Sequence, residues 1–327
     1  MSDSQTSARN KPRQVPIQER AISVGNVVGV NGYRVNLASL KQRFGEDGYQ
    51  LHETPHFLLF RREQTPSTVV IHWFPPEAID TDIEYYFMQE LQQSGILVKP
   101  QDYTDIFTVV VGSLFPHDAQ KAFYLYATNT LRRYRYLLED AREVSLTSPI
   151  IGMFATLYRR VFNLPLGESF LDAGCSFGFL PLLVAERIPA MKRIIGVDIR
   201  TDSFVTVRAI AEERQFNHIQ FIQADLLAEK FDEFGHFDTV TALHVLEHFN
   251  EADMYRVLAN LLKMTSRQLV IAIPYEAGKP ERAYGHEQLF TPAKLEALGQ
   301  WCLQQWGSGQ TWYEDCAGGL LIIKRSL

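Results

Sequence analysis

The chain contains few cysteines and no long apolar segment. Its three cysteines, Cys175, Cys302 and Cys316, are too few and too scattered for a disulfide framework or a zinc cluster built from cysteine. No stretch approaches the ~18 consecutive apolar residues of a membrane span. Residues 1–20 are polar and lack the apolar centre of a signal peptide, so we expect a disordered tail there. These absences predict a soluble, cytoplasmic protein.

An excess of positive charge is also lacking. The chain has 32 lysines and arginines against 38 aspartates and glutamates, a net charge of −6. Without a basic field over the surface, a nucleic-acid substrate is disfavoured. The hydrophobic content of 46% is sufficient for sizeable cores. A length of 327 residues is typical of about two domains.

The most informative segment is residues 170–178, Phe-Leu-Asp-Ala-Gly-Cys-Ser-Phe-Gly. It predicts a short apolar strand that runs into a tight turn, followed by a helix over 179–187. Gly174 and Gly178 allow the backbone to approach a ligand closely, and Asp172 offers an acceptor at the end of the strand. This arrangement is typical of a turn that holds a nucleotide-like cofactor.

The spacing of the glycines distinguishes between cofactors. A dinucleotide-binding turn would have glycines at the positions of Ser176 and Phe179, which are absent here. The pattern that is present, Asp-x-Gly-x-x-x-Gly, resembles motif I of the class I methyltransferases that depend on S-adenosylmethionine (SAM). The resemblance implies that Cys175 and Ser176 also line the cofactor site, and we do not expect Cys175 to be a nucleophile.

Two more strand ends carry acids in the order that this family shows. The apolar strand 194–197 ends in Asp198, whose carboxylate can accept hydrogen bonds from both ribose hydroxyls. A helix cap or a loop acid is the alternative for Asp198. The strand 219–223 is followed by Asp225 and Leu226, and acids there in this family bond the adenine amino group while an apolar neighbour covers the ring.

The fourth strand, 237–243, leads into His244-Val-Leu-Glu247-His248. The same letters form the inverted zinc-peptidase motif, in which the two histidines share a metal on one long helix. Here the preceding residues are strand-like and the histidines begin the next element, so we predict no metal. The segment is instead similar to the His-x-x-Glu-His motif of many small-molecule methyltransferases, where it closes over the sulfonium. The predicted cofactor-binding residues are Asp172, Gly174, Cys175, Ser176, Gly178, Asp198, Ile199, Asp225, Leu226 and His244.

Three further apolar segments complete the predicted sheet. Residues 269–274 form strand five, and 312–313 and 320–323 form a terminal antiparallel pair. Thr291 caps a helix that we expect to run to about Trp301. The fold class is therefore α/β: a class I, Rossmann-like methyltransferase sheet of seven strands with helices on both faces, plus an N-terminal α/β and helical extension. Its ligand should lie beyond the carboxyl ends of the strands.

The N-terminal half is divided by its sequence pattern. We predict a disordered tail over 1–20, a small α/β module over 21–115, a helical linker or lid over 116–165, and the SAM-binding domain over 166–327. The predicted elements are strands 24–35, 50–61, 68–74 and 105–114 and helices 37–44, 82–93, 117–143 and 149–162. The helix 117–143 is rich in tyrosine and arginine, which suits either an acceptor-binding wall or a packed helix with a solvated basic stripe.

A narrower resemblance covers residues 170–325. The segments 175–181, 241–248 and 273–276, with Ala-Tyr-Gly-His at 283–286, resemble the mycofactocin oligosaccharide methyltransferases. That resemblance implies that the acceptor is a hydroxyl on a short glucose chain attached to a peptide-derived redox cofactor. The sequence gives no indication of the oligomeric state.

Transfer to a hydroxyl requires removal of its proton, a task suited to histidine. The candidates for the catalytic base are His248, His286 and His244, with Glu247 or Glu276 to orient one of them. We favour His248 or His286 as the base, and His244 as part of the pocket around the methionine end. An exposed loop position is the alternative for His286. The alternative functions are methylation of another small molecule, such as a quinone, lipid or natural product, or SAM binding without catalysis.

Overall fold

The structure is a computed structural model and describes residues 21–62, 67–139, 149–229 and 231–326, without the side chain of residue 232. The predicted tail over 1–20 and the end of the predicted helix 117–143 lie outside these residues. The described part of the chain contains two sheets, one of five strands and one of seven.

The first sheet lies in the N-terminal part of the chain. Its spatial order is β1-β2-β5-β4-β3, with only β2 and β5 parallel. The strands are β1 (Ala21–Val24), β2 (Val27–Asn31), β3 (Gln50–Glu53), β4 (Phe57–Arg62) and β5 (Ser67–His72). Helix α1 (Leu37–Glu46) covers one face through Leu40, and α3 (Pro100–Gly112) covers the other. A Cβ on Gly29 of β2 would lie 2.4 Å from the carbonyl oxygen of Val109, so this close helix–sheet contact requires glycine.

Two predicted strands of this sheet are divided in the structure. The predicted strand 24–35 contains the turn between β1 and β2 as well as β2 itself. Gly25 adopts a positive φ of 54° in this turn, where the chain reverses its direction. The prediction 50–61 likewise contains a hairpin, β3 and β4. Local alternation of apolar residues indicates strand character but not where a short turn reverses the chain.

The predicted strand 105–114 is wrong, because these residues belong to helix α3. Pro100 occupies the first turn, and the Asp102 carboxylate accepts the Lys99 N–H at 3.1 Å, which are helix-start features. The β-branched run from Val109 to Val111 favours a strand locally. All three valines are fully buried in the helix between the five-stranded sheet and neighbouring helices, and this burial outweighs their intrinsic preference.

Helices connect the two sheets. Helix α2 (Ile83–Tyr86) continues into a π-helical segment (Phe87–Gln92), and α4 (Ala119–Glu139) and α5 (Pro149–Phe162) follow. Arg133 on α4 contacts Asp80 at 2.7 Å and Asp82 at 2.9 Å, while Asp82 accepts the N–H groups of Ile150 and Ile151 at the start of α5. Buried acids thus join α4 to α5.

The side chains of α4 favour the packed-helix interpretation over the acceptor wall. Tyr126 and Tyr134 are buried in the core, and Arg135 binds Glu186 at 2.7 Å. With Arg133 bound to Asp80, the aromatic and basic side chains of this helix hold it in place.

The second sheet has the spatial order β11-β12-β10-β9-β6-β7-β8. Its strands are β6 (Ser169–Ala173), β7 (Arg193–Asp198), β8 (Ile219–Gln223), β9 (Phe237–Leu243), β10 (Thr265–Ile273), β11 (Gly309–Asp315) and β12 (Gly319–Arg325). All neighbours are parallel except the two pairs that involve β12. Buried apolar side chains line both faces, as expected of a parallel sheet between helices. The predicted fold class is confirmed.

Helices cover both faces of this sheet. They include α6 (Phe179–Arg187), α7 (Phe204–Glu213), α8 (Glu251–Met264) and α9 (Pro292–Trp306). Helix α9 extends beyond the predicted end near Trp301 and ends at Gly307, which adopts the left-handed conformation of a helix C-cap. Among the described residues, no helix combines the length and apolar character needed to cross a membrane.

The N-terminal part approaches one edge of the second sheet. Helix α3 contacts the short turn Arg282–Tyr284 that follows β10, and α4 packs on α7. This contact places α3 near the carboxyl ends of the parallel strands, where the sequence motifs lie. A surface groove beside His236 and Trp306 lies at the opposite, amino edge and contains none of the predicted site residues.

Candidate active site

The glycine turn connects β6 to α6. Gly174, Ser176 and Gly178 all have positive φ, of 75°, 49° and 63°. The N–H groups of Gly174 and Cys175 both donate to the carbonyl oxygen of Val197 on β7, at 2.8 and 2.9 Å. The turn is therefore tied to the end of the neighbouring strand.

The glycines of this turn are required by packing inside the protein. A Cβ on Gly174 would lie 2.5 Å from the Val245 side chain, and one on Gly178 would lie 2.3 Å from the Phe221 ring. We expected these glycines to permit close approach of a ligand. The structure shows that they also allow tight contact with β8 and with the segment after β9.

Asp198 ends β7 and supports the turn. Its carboxylate accepts the N–H of Ser176 at 2.8 Å and the N–H of Arg200 at 2.9 Å. A carboxylate offers about four acceptor positions, so two are left for ribose hydroxyls. Asp198 can thus support the loop, as the alternative interpretation had it, and still accept hydrogen bonds from a cofactor. Ile199 beside it is apolar and 61% exposed, a surface on which an adenine ring can lie.

Asp172 is buried at the end of β6. The hydroxyl of Thr241 on β9 donates to its carboxyl at 2.6 Å. Burial raises the pKa of Asp172 to about 7, and the Thr241 hydrogen bond opposes this change only partly. Cys175 is also buried, which raises the pKa of its thiol, whereas a nucleophilic cysteine requires a lowered one.

The third strand end is more exposed. Asp225 lies on the surface and accepts the N–H of Leu227 at 2.9 Å. Leu226 is buried in the core on the α8 face of the sheet, so its side chain is less suited to cover a ligand ring than that of Ile199.

The His-x-x-Glu-His segment is not helical in the way a zinc peptidase requires. His244 has a positive φ of 55°, and its N–H donates to the Ala272 carbonyl oxygen at 2.8 Å. Only a single 3-10 turn, Leu246–His248, follows before α8. Because His244 and His248 do not share a helix, the peptidase interpretation fails on geometry.

His244 and Glu247 face inward without partners. The Nε2 atom of His244 and both carboxyl oxygens of Glu247 are buried and make no hydrogen bond to another residue. The His244 ring lies 5.0 Å from the ring of Phe154 on α5. Burial, with the nearby His286 and His248, lowers the pKa of His244 to about 3. Burial raises the pKa of Glu247 to about 8; the residue's own backbone N–H opposes this change, and nearby Glu276 adds slightly to it.

His248 and His286 lie side by side, although they are distant in the sequence. His248 contacts Gly285, which lies 37 positions further along the chain, next to His286. Their ring centroids are 4.9 Å apart. His286 Nδ1 lies 2.5 Å from a Glu276 carboxyl oxygen, and His248 Nδ1 lies 3.3 Å from the Gly285 carbonyl oxygen. The structure therefore brings both candidate bases together with Glu276.

Aromatic residues form the opposite side of this region. The rings of Tyr103 on α3 and Tyr284 are 5.2 Å apart, and the Tyr284 hydroxyl is buried without a partner. Glu84 on α2 bonds the Tyr103 hydroxyl, and burial raises the pKa of Glu84 to about 7. Neither Tyr103 nor Glu84 was predicted as a site residue, because both lie far from every motif and most of α3 was predicted as a strand.

Residues 170–268 match a family model described as a methyltransferase domain. Similar solved structures include an O-methyltransferase family protein from Burkholderia thailandensis, with 16% identity, a TM-score of 0.47 and coverage of 88% of this chain and 83% of that one. Another is magnesium protoporphyrin IX methyltransferase from Synechocystis PCC 6803 with bound S-adenosylhomocysteine. It shows 18% identity and a TM-score of 0.41, and the match covers 61% of this chain and 96% of that one. No curated protein matches the chain.

The matched region begins in β6 and ends within β10, so it contains the glycine turn, all three strand-end acids and the His-x-x-Glu-His segment. The turn, the acceptor positions left on Asp198 and the exposed face of Ile199 suit a nucleoside-bearing cofactor. Residues 170–268 are therefore similar to a methyltransferase domain.

Proposed function

We propose that the protein transfers the methyl group of SAM to a hydroxyl of a small molecule or glycan, with an oligoglucoside chain of the mycofactocin type as the favoured acceptor. The observation that carries this proposal is the pair His248 and His286. Each ring has its Nδ1 atom engaged, by Gly285 and Glu276, which leaves the two Nε2 atoms for the acceptor side.

The cofactor would be held by the turn 174–178, by Asp198 at the ribose, and by Ile199 and Asp225 at the adenine. When bound, SAM supplies a methyl group already activated on a positively charged sulfur. The protein's remaining tasks are alignment of the two reactants and exclusion of water.

His244 suits a position beside the sulfonium. A pKa of about 3 keeps its ring neutral at physiological pH, so it adds no positive charge near a cationic donor. The same low pKa makes His244 a weak base. Of the three predicted catalytic histidines, His248 and His286 are therefore assigned to the acceptor proton, and His244 to the pocket wall.

The position of Glu276 supports proton removal from a hydroxyl. A carboxylate at one ring nitrogen orients the imidazole and stabilises its charged form, which is the arrangement of a base with its orienting acid. An acceptor such as a thiolate needs no such base. The rings of Tyr103 and Tyr284 offer apolar faces that suit a sugar ring.

The experiment compares acceptors and variants with labelled SAM. The wild type should methylate a short glucose chain in preference to quinols, amines and thiols. His248→Ala and His286→Ala should retain SAM affinity, and at least one should lose ~10²- to 10⁴-fold in rate, as expected for a base that acts in the transition state.

A matched control is available in the five-stranded sheet. His56 contacts Glu90 with the same 2.5 Å separation as His286 and Glu276, but far from the glycine turn, so His56→Ala should transfer methyl groups at the wild-type rate. Wild-type rates in both His248→Ala and His286→Ala would show that neither is the base. Modification of amines, thiols or nucleic acid alone would overturn the proposed acceptor class.

A further inference from the structure

We propose that Glu247, His248 and His286 bind a divalent transition-metal cation at the acceptor end of the site. One ligand atom from each residue lies within 4.8 Å of the other two. Ligands about 2.0–2.2 Å from one ion are separated by less than this, so small side-chain rotations complete the site. The role of the cation in catalysis rests on the proposed function, whereas its binding does not.

The hydrogen bonds of the two histidines support this assignment. A histidine that ligates a metal through one nitrogen almost always donates its other N–H to a carboxylate or a backbone carbonyl. His286 meets this description through Glu276 and His248 through Gly285, each at Nδ1. Both Nε2 atoms are thereby left in the tautomer that accepts a metal.

Glu247 supplies the second, independent observation. The residue is 1% exposed, and both of its carboxyl oxygens are buried without a partner. A buried carboxyl group whose oxygens lack hydrogen-bond partners is costly. Asp80, by contrast, is buried but bound to Arg133 at 2.7 Å. A cation between Glu247 and the two histidines would supply the missing partner.

The donor set indicates the kind of cation. Two imidazoles and one carboxylate suit zinc, iron(II), manganese or cobalt, whereas magnesium and calcium prefer oxygen ligands alone. Three protein ligands also leave coordination positions open, as catalytic metal sites do. We predicted no metal from the sequence because His244 and His248 follow a strand and do not share one long helix; the proposed site uses His286 in place of His244.

An open position allows the cation to hold the acceptor hydroxyl. Coordination would make the hydroxyl more acidic, so that its proton would pass to solvent as the oxygen attacks the methyl carbon. The C–O bond forms while the C–S bond breaks, and S-adenosylhomocysteine keeps the electron pair of that bond. With the cation bound, His248 and His286 would ligate it, and coordination would take over the removal of the hydroxyl proton that the proposed function gives to their Nε2 atoms.

The test of the site is metal binding by the full chain. Protein stripped with a chelator should bind one equivalent of Mn²⁺, Zn²⁺ or Co²⁺ by calorimetry, and Co²⁺ should give the visible absorption of a nitrogen-ligated ion. Glu247→Gln and His286→Ala should each weaken binding at least tenfold, and Glu276→Gln by roughly 10- to 100-fold. SAM affinity, unchanged in all three, shows that the variants fold.

Glu90→Gln is the matched control, because Glu90 pairs with His56 in the same way outside the site. It should bind metal as the wild type does. Equal affinity in the wild type, Glu247→Gln and His286→Ala would overturn the proposed site. So would the absence of binding by the stripped wild type.

Methyl transfer separates this proposal from the proposed function. Loss of transfer after chelation and recovery on adding metal support a cation that holds the acceptor. Transfer at the full rate in stripped protein overturns that role and leaves the methyltransferase function intact. If SAM binds but no hydroxyl is methylated with or without metal, the proposed function fails, while the calorimetric result still decides the site.

Discussion

The two halves of the carboxyl edge of the seven-stranded sheet differ in how their polar groups are partnered. In the cofactor half, Asp172 accepts from Thr241, and Asp198 accepts from two backbone N–H groups. In the acceptor half, His244 Nε2 and both oxygens of Glu247 are buried without partners. The first half is complete within the protein, and the second is not.

This difference separates two uses of a polar side chain. Asp198, the last residue of β7, supports the glycine turn, and Asp172 within β6 is bonded to β9, so both acids belong to a frame that is rigid without a ligand. The unpartnered groups after β9 and β10 have no such role within the chain. Buried polar groups that lack partners are expensive, so we infer that they are kept for what they bind.

The largest effect is expected on the free energy of unfolding, through the buried carboxyl group of Asp172 in the cofactor half. Burial raises the pKa of Asp172 from 3.8 to about 7, so the folded state retains a proton that the unfolded state releases. Stability from this group is fully present below pH 3.8 and is lost as the pH rises through about 7. The change is on the order of 4 kcal/mol at 1.36 kcal/mol per pKa unit.

Asp172→Asn removes this dependence while keeping an acceptor for Thr241. The free energy of unfolding of the variant minus that of the wild type should be larger at pH 8 than at pH 4. Urea unfolding of both proteins at both pH values measures this difference. An equal difference in free energy of unfolding at the two pH values would show that the buried carboxyl does not titrate as described.

The next effect concerns SAM affinity. Asp198→Ala removes the acceptor of the Ser176 and Arg200 N–H groups together with the proposed ribose contacts, so binding should weaken by about 1–3 kcal/mol. Asp202→Ala is the control, because Asp202 is a nearby exposed acid that pairs with Arg200. Calorimetry with S-adenosylhomocysteine measures both variants. Unchanged affinity in Asp198→Ala would remove the assignment.

The cofactor half was largely predictable from the sequence and the acceptor half only in part. Local pattern locates Asp198, because an apolar strand followed by an acid is visible within a few residues. The proximity of Glu247 to His286 depends on how the loop after β10 folds back, which no local pattern records. Tyr103 was missed because the valines of α3 favour a strand, and only their burial between layers makes them helical.

The smallest effect on stability is expected when one hydroxyl is removed from each half in turn, which compares the two halves directly. Thr241→Val leaves Asp172 buried without its 2.6 Å hydrogen bond and should destabilise the fold by about 1–3 kcal/mol. Tyr284→Phe deletes a hydroxyl that has no partner in the protein, so its free energy of unfolding should change by less than about 0.5 kcal/mol. Urea unfolding at pH 7 measures both. Acceptor affinity should fall in Tyr284→Phe even though its stability does not, because the hydroxyl is kept for a ligand. A loss of stability in Tyr284→Phe as large as that in Thr241→Val would contradict the distinction between the two halves.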